Sequence, residues 1–318
     1  MTELRTLGSS DLVVSAVGMG CNNFSRPGTP TATQEGSTAV IHAAIDHGIT
    51  FFDGADIYGA EPGLSETFMG VALRGRRDQV VLSTKFGHQG AQAAGAADWG
   101  PKGARRYIRH AVEASLRRLQ TDHIDLLQMH TPDPATPIEE TLAALHALVA
   151  AGTVRYIGSS NFSAAQVGAA DAAARAHGQE RFISAQNEYS LLARGIEAEL
   201  LPLARELGIG IIPYFPLHNG LLTGKYTRGG GGEGRISRLK PHLLQTVDWD
   251  QLEAYQRLCD AHGLTMLEAT IAWLLAQPGI GTVIAGATTP EQVAQNAAAG
   301  DLVLPADLAL EISGLFPR

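Results

Sequence analysis

Short apolar segments recur along this chain of 318 residues, and each of them ends in glycine or in polar residues. The candidate strands are 15–20, 50–55, 80–86, 124–130, 154–161, 183–189, 209–215 and 281–286. The stretches between them, such as 105–120 and 137–152, are rich in Ala, Leu, Glu and Arg and carry apolar residues at helical spacing. Because strands that alternate with helices pair in parallel through helical crossovers, these units predict an α/β fold, a (β/α)8 TIM barrel.

The alternative architecture is an open, doubly wound sheet. Such a sheet normally carries a G-x-G-x-x-G motif after its first strand, and the N-terminal half of this chain has none, so the barrel is favoured. Residues 4–15 predict a β-hairpin, with "GSSD" at its turn, that covers one end of the barrel. Because no linker divides the chain, 1–318 is predicted to be a single domain. The glycine-rich tract 228–234 is predicted to be a flexible loop, or a flap that closes over a bound ligand.

The composition argues against several classes of partner. Hydrophobic residues make up 45% of the chain, which suits a large core, and a net charge of −8 argues against a nucleic-acid or anionic-membrane surface. The two cysteines, Cys21 and Cys259, are far apart, which predicts a reducing compartment and no cysteine metal cluster. The sequence shows neither a signal peptide nor an apolar run of about 18 residues. We expect a cytoplasmic protein without a metal, a membrane or a nucleic-acid partner, and the sequence does not determine its oligomeric state.

Polar side chains stand where the candidate strands end. Only the last strand, which ends at Gly286, lacks one. The others end in Cys21 and Asn22, Asp53, Lys85, His130, Ser160 and Asn161, Gln186 and Asn187, and Tyr214. In a (β/α)8 barrel the carboxyl ends of the strands form the face that carries the active site. We therefore expect these side chains to converge on one rim.

Four residues near this rim form a chemically coherent set. Tyr58 is a poor acid at neutral pH, since its ordinary pKa is near 10, but a cation that stabilises its phenolate lets it donate a proton. Lys85 is the candidate cation, Asp53 its partner, and His130 a donor to a substrate oxygen. Taken singly, Asp53 also suits a helix cap, Tyr58 a packing role and His130 a core position. Together they suit carbonyl–alcohol chemistry coupled to hydride transfer, and Asp56 is interpreted as a loop-solvating acid.

The motifs "FFDGADIYG", "LSTKFG", "LLQMH", "YIGSSNFS", "AQNEYS" and "YFPLHNGLLTGKY" together resemble those of the aldo-keto reductases. The resemblance runs from about Gly8 to Gly300, and it is stronger to bacterial members related to the potassium-channel β subunit than to the mammalian aldose reductases. It implies a barrel that binds a nicotinamide cofactor across its C-terminal face without a Rossmann domain. It also implies that Tyr58 is the proton donor, that Lys85 and Asp53 tune the acidity of Tyr58, and that His130 orients the substrate.

The resemblance further implies cofactor contacts in three groups. Ser160, Asn161, Gln186 and the ring of Tyr214 are expected at the nicotinamide. The pyrophosphate and adenosine contacts are expected from the loops after the seventh and eighth strands. The full predicted set is Gly20, Cys21, Ser160, Asn161, Gln186, Tyr214, Phe215, Pro216, Leu217, Gly220, Gly224, Lys225, Arg235, Gly286, Thr288, Gln292 and Asn296. Phe24 and Trp99 are predicted as walls of the substrate pocket.

The segment after the eighth strand departs from the family pattern, because it lacks the Lys and Arg that many relatives place against the 2′-phosphate of NADP. Arg235 or Arg238 is a candidate replacement, so NADP(H) is favoured and NAD(H) is the alternative. The resemblance thus predicts an oxidoreductase that interconverts a small-molecule carbonyl (aldehyde, ketone or sugar) and an alcohol. The alternatives are a redox-sensing regulatory subunit that binds cofactor and turns over slowly, and a metal- or carboxylate-based barrel hydrolase. The single acid at the proposed centre argues against the hydrolase.

Overall fold

The chain begins with the predicted hairpin, in which β1 (Leu4–Thr6) and β2 (Val13–Ser15) pair antiparallel. The computed structural model of the protein describes residues 3–230, 232 and 234–317, apart from the side chains of Arg235 and Leu239. Leu7 in the hairpin turn is fully buried and lies against Gly210 and Gly281 at the start of two barrel strands. The hairpin therefore covers the N-terminal end of the barrel, as predicted.

All eight predicted barrel strands are present, and they pair in parallel in chain order. They are β3 (Val17–Gly20), β4 (Phe51–Asp53), β5 (Val81–Phe86), β6 (Ile124–Met129), β7 (Val154–Ser160), β8 (Ser184–Glu188), β9 (Gly210–Tyr214) and β10 (Val283–Gly286). The first and last of these, β3 and β10, also pair with each other. A single bridge between Ile211 in β9 and Ile280, just before β10, nearly closes the circle. The predicted barrel is confirmed.

Helices cover the outside of the barrel between successive strands. They are α1 (Gln34–Asp46), α2 (Leu64–Ala72), α3 (Arg105–Leu119), α4 (Ile138–Ala150), α5 (Ala164–His177), α6 (Leu200–Leu207), α7 (Arg235–Leu239), α8 (Trp249–Ala261), α9 (Met266–Leu275), α10 (Pro290–Ala299) and α11 (Ala306–Leu315). Local sequence fixes several of their ends: Ser163 and Gln166 form a capping box at the start of α5, and Gly178 ends that helix in the left-handed conformation. No helix in the described ranges is long and apolar enough to cross a membrane.

The longest departure from the strand–helix alternation lies between β9 and α9. This segment holds a kinked 3-10 stretch at His218–Thr223, followed by α7 and α8. The glycine-rich tract 228–234, predicted as a loop or flap, falls here, and its residues 231 and 233 lie outside the described part of the chain. Because the segment follows the carboxyl end of β9, it borders the face where the polar strand ends meet.

Candidate active site

A cleft of about 1640 Å³ crosses the carboxyl ends of the barrel strands. It is larger than the roughly 300–1,000 Å³ typical of a pocket for one drug-sized molecule. Strand-end side chains and the loops after β3, β4, β9 and β10 line it. The predicted convergence of polar strand ends is therefore observed, and the cleft has the extent that a long ligand requires.

Lys85 lies beneath the floor of this cleft and is fully buried. Its Nζ donates to Asp53 Oδ2 at 2.6 Å, to the carbonyl oxygen of Gly54 at 2.9 Å and to the hydroxyl of Tyr58 at 3.4 Å. Burial alone would lower the pKa of Lys85, but the Asp53 carboxylate and Tyr58 outweigh it and raise that pKa above its ordinary value. The amine is consequently a fixed positive charge below the cleft.

Asp53 is held by amide groups that reach it across the barrel interior from β6 and β8. Its Oδ1 accepts hydrogen bonds from Gln186 Nε2 at 2.9 Å and from Gln128 Nε2 at 3.3 Å, while Gln128 also donates to Ser83 at 2.9 Å. A buried ion pair is tolerated only when its remaining polar atoms are hydrogen-bonded, and this network meets that condition. The sequence interpretation missed Gln128, which lies two residues before His130 on the inner face of β6.

Tyr58 reaches the cleft from the loop after β4, and its ring lies over Lys85 with the Nζ 5.0 Å from the ring centroid. Burial raises the pKa of the Tyr58 phenol, and the charge of Lys85 opposes that rise without cancelling it. The expected acidifying contact with Lys85 is present, but burial dominates in this structure. At neutral pH the hydroxyl therefore carries its proton.

His130 follows β6 and is buried beside Tyr58, with the two rings edge to face and their centroids 5.9 Å apart. Burial and then the charge of Lys85 hold the pKa of His130 well below its ordinary value, so the imidazole is neutral. Its Nδ1 is buried without a hydrogen-bond partner among the described residues. A neutral imidazole carries one N–H group, which at this position can donate a hydrogen bond to a ligand oxygen.

A second histidine, His88, also lines the cleft, and the sequence interpretation did not single it out. Its ring meets that of His130 edge to face, with centroids 4.6 Å apart. Burial and then the charge of Lys102 lower the pKa of His88 below its ordinary value. The sequence did contain one indication of His88 as a site residue, since it lies three residues after Lys85 and shortly after the end of β5.

Most of the predicted cofactor residues line the cleft. They are Gly20, Cys21, Ser160, Asn161, Gln186, Tyr214, Phe215, Pro216, Leu217, Gly220, Lys225, Gly286, Thr288, Gln292 and Asn296. Gly224 does not line it, and the side chain of Arg235 lies outside the described residues. Asn161 is already engaged at both ends, since its Nδ2 donates to the His130 carbonyl at 2.9 Å and its Oδ1 accepts from the Tyr214 hydroxyl at 2.8 Å.

The structure places neither predicted pocket wall on the cleft. Phe24 is fully buried in the main core, because the chain turns inward directly after a 3-10 turn at Cys21–Asn23. Trp99 stacks on His110 at 5.5 Å and meets Tyr107 edge to face at 5.4 Å, so it packs against α3 and borders a separate shallow depression. The side chains that line the cleft near Tyr58 instead include Ile57 and His88.

Two cations lie together on the wall formed by the segment after β9. Lys225 and Arg238 both line the cleft, and burial and then the charge of Arg238 lower the pKa of Lys225. Arg238 also donates a hydrogen bond to the carbonyl oxygen of Gly28, which lies in the loop after β3. Two cations close together in a cleft are suited to bind an anion, and the contact of Arg238 with Gly28 joins two loops of the rim.

Asp56 does not solvate a loop, and that interpretation is wrong. Its side chain is fully buried, and neither carboxylate oxygen has a well-formed hydrogen bond within the described part of the chain. Burial and then the nearby charge of Glu66 raise the pKa of Asp56 to about 8, against the opposing charges of Arg118 and Lys102. The sequence after Asp53 gave no sign of this, because the turn at Asp56 and Ile57 brings the acid near the charges of Glu66 in α2 and Arg118 in α3.

The described residues contain no group of three or more His, Cys, Asp or Glu side chains placed to hold a metal ion. The charged centre that the structure does show is the Asp53–Lys85 pair beneath Tyr58.

Comparison with known proteins agrees with this geometry. The model of the "Aldo/keto reductase family" matches residues 16–315. The chain is 36% identical to "Uncharacterized oxidoreductase YrpG" of Bacillus subtilis (strain 168), over 99% of this chain and 96% of the relative. It is 35% identical to "Probable aldo-keto reductase 1" of Glycine max (91% and 82%) and 33% identical to "Probable voltage-gated potassium channel subunit beta" of Arabidopsis thaliana (95% and 92%). The resemblance drawn from the sequence motifs is confirmed, and the chain belongs to the aldo/keto reductase family.

Proposed function

We propose that this protein is an NADP(H)-dependent oxidoreductase that interconverts a carbonyl compound and an alcohol, with Tyr58 as the proton donor and acceptor. The observation that carries the proposal is the fully buried ammonium of Lys85, paired with Asp53 and in contact with the Tyr58 hydroxyl beneath the cleft. Removing two charges from water is costly even when they are paired, and strongly perturbed ionisable groups in a cleft cluster at functional sites.

The residues present fit a nicotinamide cofactor, which enzymes of this family typically use. The cleft offers the aromatic face of Tyr214 beside the amide of Gln186, and two cations at its other wall. The buried Asn219 Oδ1, in the loop that lines the cleft, lacks a hydrogen-bond partner among the described residues. Gly220, with φ of +102°, lets the backbone of that loop take a conformation that other residues rarely adopt. The cofactor, when bound, supplies or accepts the hydride.

The protein's own side chains bind the substrate oxygen and transfer its proton. In reduction, the carbonyl oxygen accepts hydrogen bonds from Tyr58 and His130, and the Tyr58 proton passes to the developing alkoxide. Lys85 stabilises the phenolate that remains, and Asp53 keeps Lys85 in place. Because burial raises the pKa of Tyr58, the protonated form needed to donate a proton in reduction predominates at neutral pH.

The preference for NADP(H) over NAD(H) rests on Lys225 and Arg238. Two adjacent cations gain most from a ligand with a dianionic group, and the 2′-phosphate distinguishes the two cofactors. The residues that line the cleft at the end of β10, in the loop after it and in α10 are all uncharged: Gly286, Thr288, Gln292, Ala294, Gln295, Asn296 and Ala298.

The experiment that tests the proposal replaces Tyr58 by Phe. We expect Tyr58→Phe to lower carbonyl reduction by about 10³-fold, since general acid catalysis contributes roughly 10²–10⁴. Binding of NADPH, followed by its fluorescence, should change by less than about twofold. Undiminished turnover in this variant would contradict the mechanism.

A second candidate is a regulatory subunit that holds cofactor and turns over slowly, and the similarity to the relative named as a potassium channel subunit β favours it. Steady-state reduction of a panel of aldehydes separates the two. Sustained turnover supports the enzyme, whereas tight NADPH binding with a single slow oxidation event supports the regulatory subunit.

A further inference from the structure

Gln128 is fully buried beneath the cleft and does not line it, yet it contacts the charged pair that the proposed reaction uses. We propose that Gln128 is a positioning residue, which holds the Asp53 carboxylate against Lys85 and thereby makes Tyr58 more acidic. The inference rests on the proposed function and adds to it a residue that acts through Asp53 and does not reach the substrate.

The barrel strands place Gln128 directly beside Lys85, since the two residues are partners in the register between β5 and β6. Leu126, two residues earlier on the same face of β6, lies in an apolar cluster of the barrel interior with Phe51 and Ile212. An apolar side chain at position 128 would extend that cluster. A buried amide instead costs free energy unless it is hydrogen-bonded, so its partners matter.

Neighbouring strands give the amide space and a second partner. Gly158 of β7 pairs with Gln128 in register, and a Cβ atom there would lie 3.3 Å from Gln128 Cγ and 2.2 Å from Ser184 Oγ. The glycine therefore leaves the space that the Gln128 side chain needs. On the other side, in β5, Ser83 Oγ accepts a hydrogen bond from Gln128 Nε2 at 2.9 Å. The amide is thus fixed independently of Asp53.

The chemistry of Asp53 determines which way the amide points. An ionised carboxylate only accepts hydrogen bonds, so Gln128 directs its NH2 group towards Asp53 Oδ1, at 3.3 Å. Gln128 Oε1 then faces Gln186, whose Nε2 lies 3.5 Å from it and donates to Asp53 Oδ1 at 2.9 Å. The two amides together occupy Oδ1, which leaves Oδ2 for Lys85.

Lys85 transmits the effect of this arrangement to Tyr58. An ammonium has three N–H groups, and the three acceptors of Lys85 are Asp53 Oδ2, the Gly54 carbonyl oxygen and the Tyr58 hydroxyl. Burial raises the pKa of Tyr58, the charge of Lys85 lowers it and the charge of Asp53 raises it. A donor that partly neutralises the Asp53 carboxylate therefore favours the phenolate that Tyr58 becomes when it gives up its proton.

Gln128→Met tests the inference, because methionine keeps the length of the side chain and removes the donor. In alcohol oxidation, which needs the phenolate, the rise of kcat/KM with pH should move upward by about one unit, and kcat for carbonyl reduction at neutral pH should fall about tenfold. The KM for the carbonyl and the dissociation constant for NADPH should change by less than about twofold, as expected for a group that acts only on the transition state.

Two further variants separate positioning from packing. Ser83→Ala removes the second partner of the Gln128 amide and should move the pH profile in the same direction by a smaller amount. Leu127→Val is the matched control, since Leu127 is the adjacent buried residue of β6 and packs in the main core. It should lower stability and leave the profile in place. An unmoved profile in Gln128→Met, or an equal movement in Leu127→Val, would overturn the inference.

An NMR measurement separates this inference from the proposed function. In protein isotope-labelled at the glutamine side-chain nitrogens, the amide signals that are missing from Gln128→Met belong to Gln128. They should shift when Asp53 is replaced by Asn, because their acceptor loses its charge. If the parent reduces no carbonyl, the proposed function fails while these signals still decide whether Gln128 holds Asp53. Signals that stay in place in Asp53→Asn would contradict the inference even in an active enzyme.

Discussion

The side chains beneath the cleft show how differently buried acids behave according to their partners. Asp53 has Lys85 and two amide donors around it and anchors the ion pair. Asp56, three residues later, is equally buried but lacks such partners, and its pKa of about 8 shows that the folded protein prefers it protonated. The neighbouring strand end decides between the two outcomes, because β5 delivers Lys85 to Asp53 and nothing equivalent to Asp56.

This difference predicts how stability depends on pH. The pKa of Asp56 in the folded protein, about 8, lies above that of an unfolded aspartate, so the native state holds a proton that the unfolded chain releases above pH of about 4. The contribution of this group to stability therefore falls by about 1.4 kcal/mol for each pH unit between those values, and it is constant at higher pH.

We expect Asp56→Asn and the parent to be equally stable near pH 4, and the variant to become progressively more stable up to about pH 8. Urea unfolding at several pH values measures this difference. Asp98→Asn, at an exposed aspartate, is the control and should show no such trend. A parallel pH dependence in Asp56→Asn and the parent would show that Asp56 is ionised in the folded protein.

At the scale of elements, the strands and their ends could be predicted from the sequence, and the loops could not. Apolar periodicity marks a strand, and the abrupt change to polar residues marks where it leaves the core, so Asp53, Lys85 and His130 were found. The path of a loop depends on tertiary contacts that no periodicity records. Phe24, Trp99 and Asp56 were misplaced for that reason, and His88 was overlooked although it follows Lys85 closely.

The contact between α7 and the loop after β3 leads to a prediction about the cofactor. Arg238→Ala removes a cation from the cleft wall and should raise the dissociation constant for NADPH about tenfold, while that for NADH changes much less. Titration of protein fluorescence with each cofactor measures both constants. Arg228→Ala is the control, since Arg228 pairs with Glu253 away from the cleft. An equal loss for both cofactors would show that Arg238 does not recognise the 2′-phosphate.

Across the whole molecule, the packing that the hairpin adds and the proposed reactive groups lie at opposite ends of the barrel. The hairpin residues Leu7, Leu12 and Val14 pack with Phe51 and Leu126 at the N-terminal end of the barrel. Asp53, Tyr58, Lys85 and His130 lie at the opposite end, at and just beyond the carboxyl ends of the strands. The stability of the fold and the proposed chemistry therefore depend on different residues, as is usual in barrels of this kind.

Leu7→Ala tests this separation. We expect it to lower the free energy of unfolding by about 2–5 kcal/mol, because it leaves a cavity among buried groups. Turnover at a temperature where the variant is folded should stay within about twofold of the parent. Leu4→Ala, at a position 60% exposed, should change stability by less than about 0.5 kcal/mol. A large loss of turnover in folded Leu7→Ala would show that the two ends are coupled.

The junction between β9 and β10 is the least extensively paired in the barrel, because a single bridge, between Ile211 and Ile280, joins the two sides. In the described strands, every other junction is held by at least two residue pairs, as between β3 and β4. The segments on the two sides of this junction, after β9 and β10, carry Lys225 and Gln292, whereas Asp53, Lys85 and His130 lie at the ends of β4, β5 and β6 on the opposite arc. The residues proposed to bind the cofactor on either side of this junction and the residues proposed to move the proton therefore belong to different arcs of the barrel.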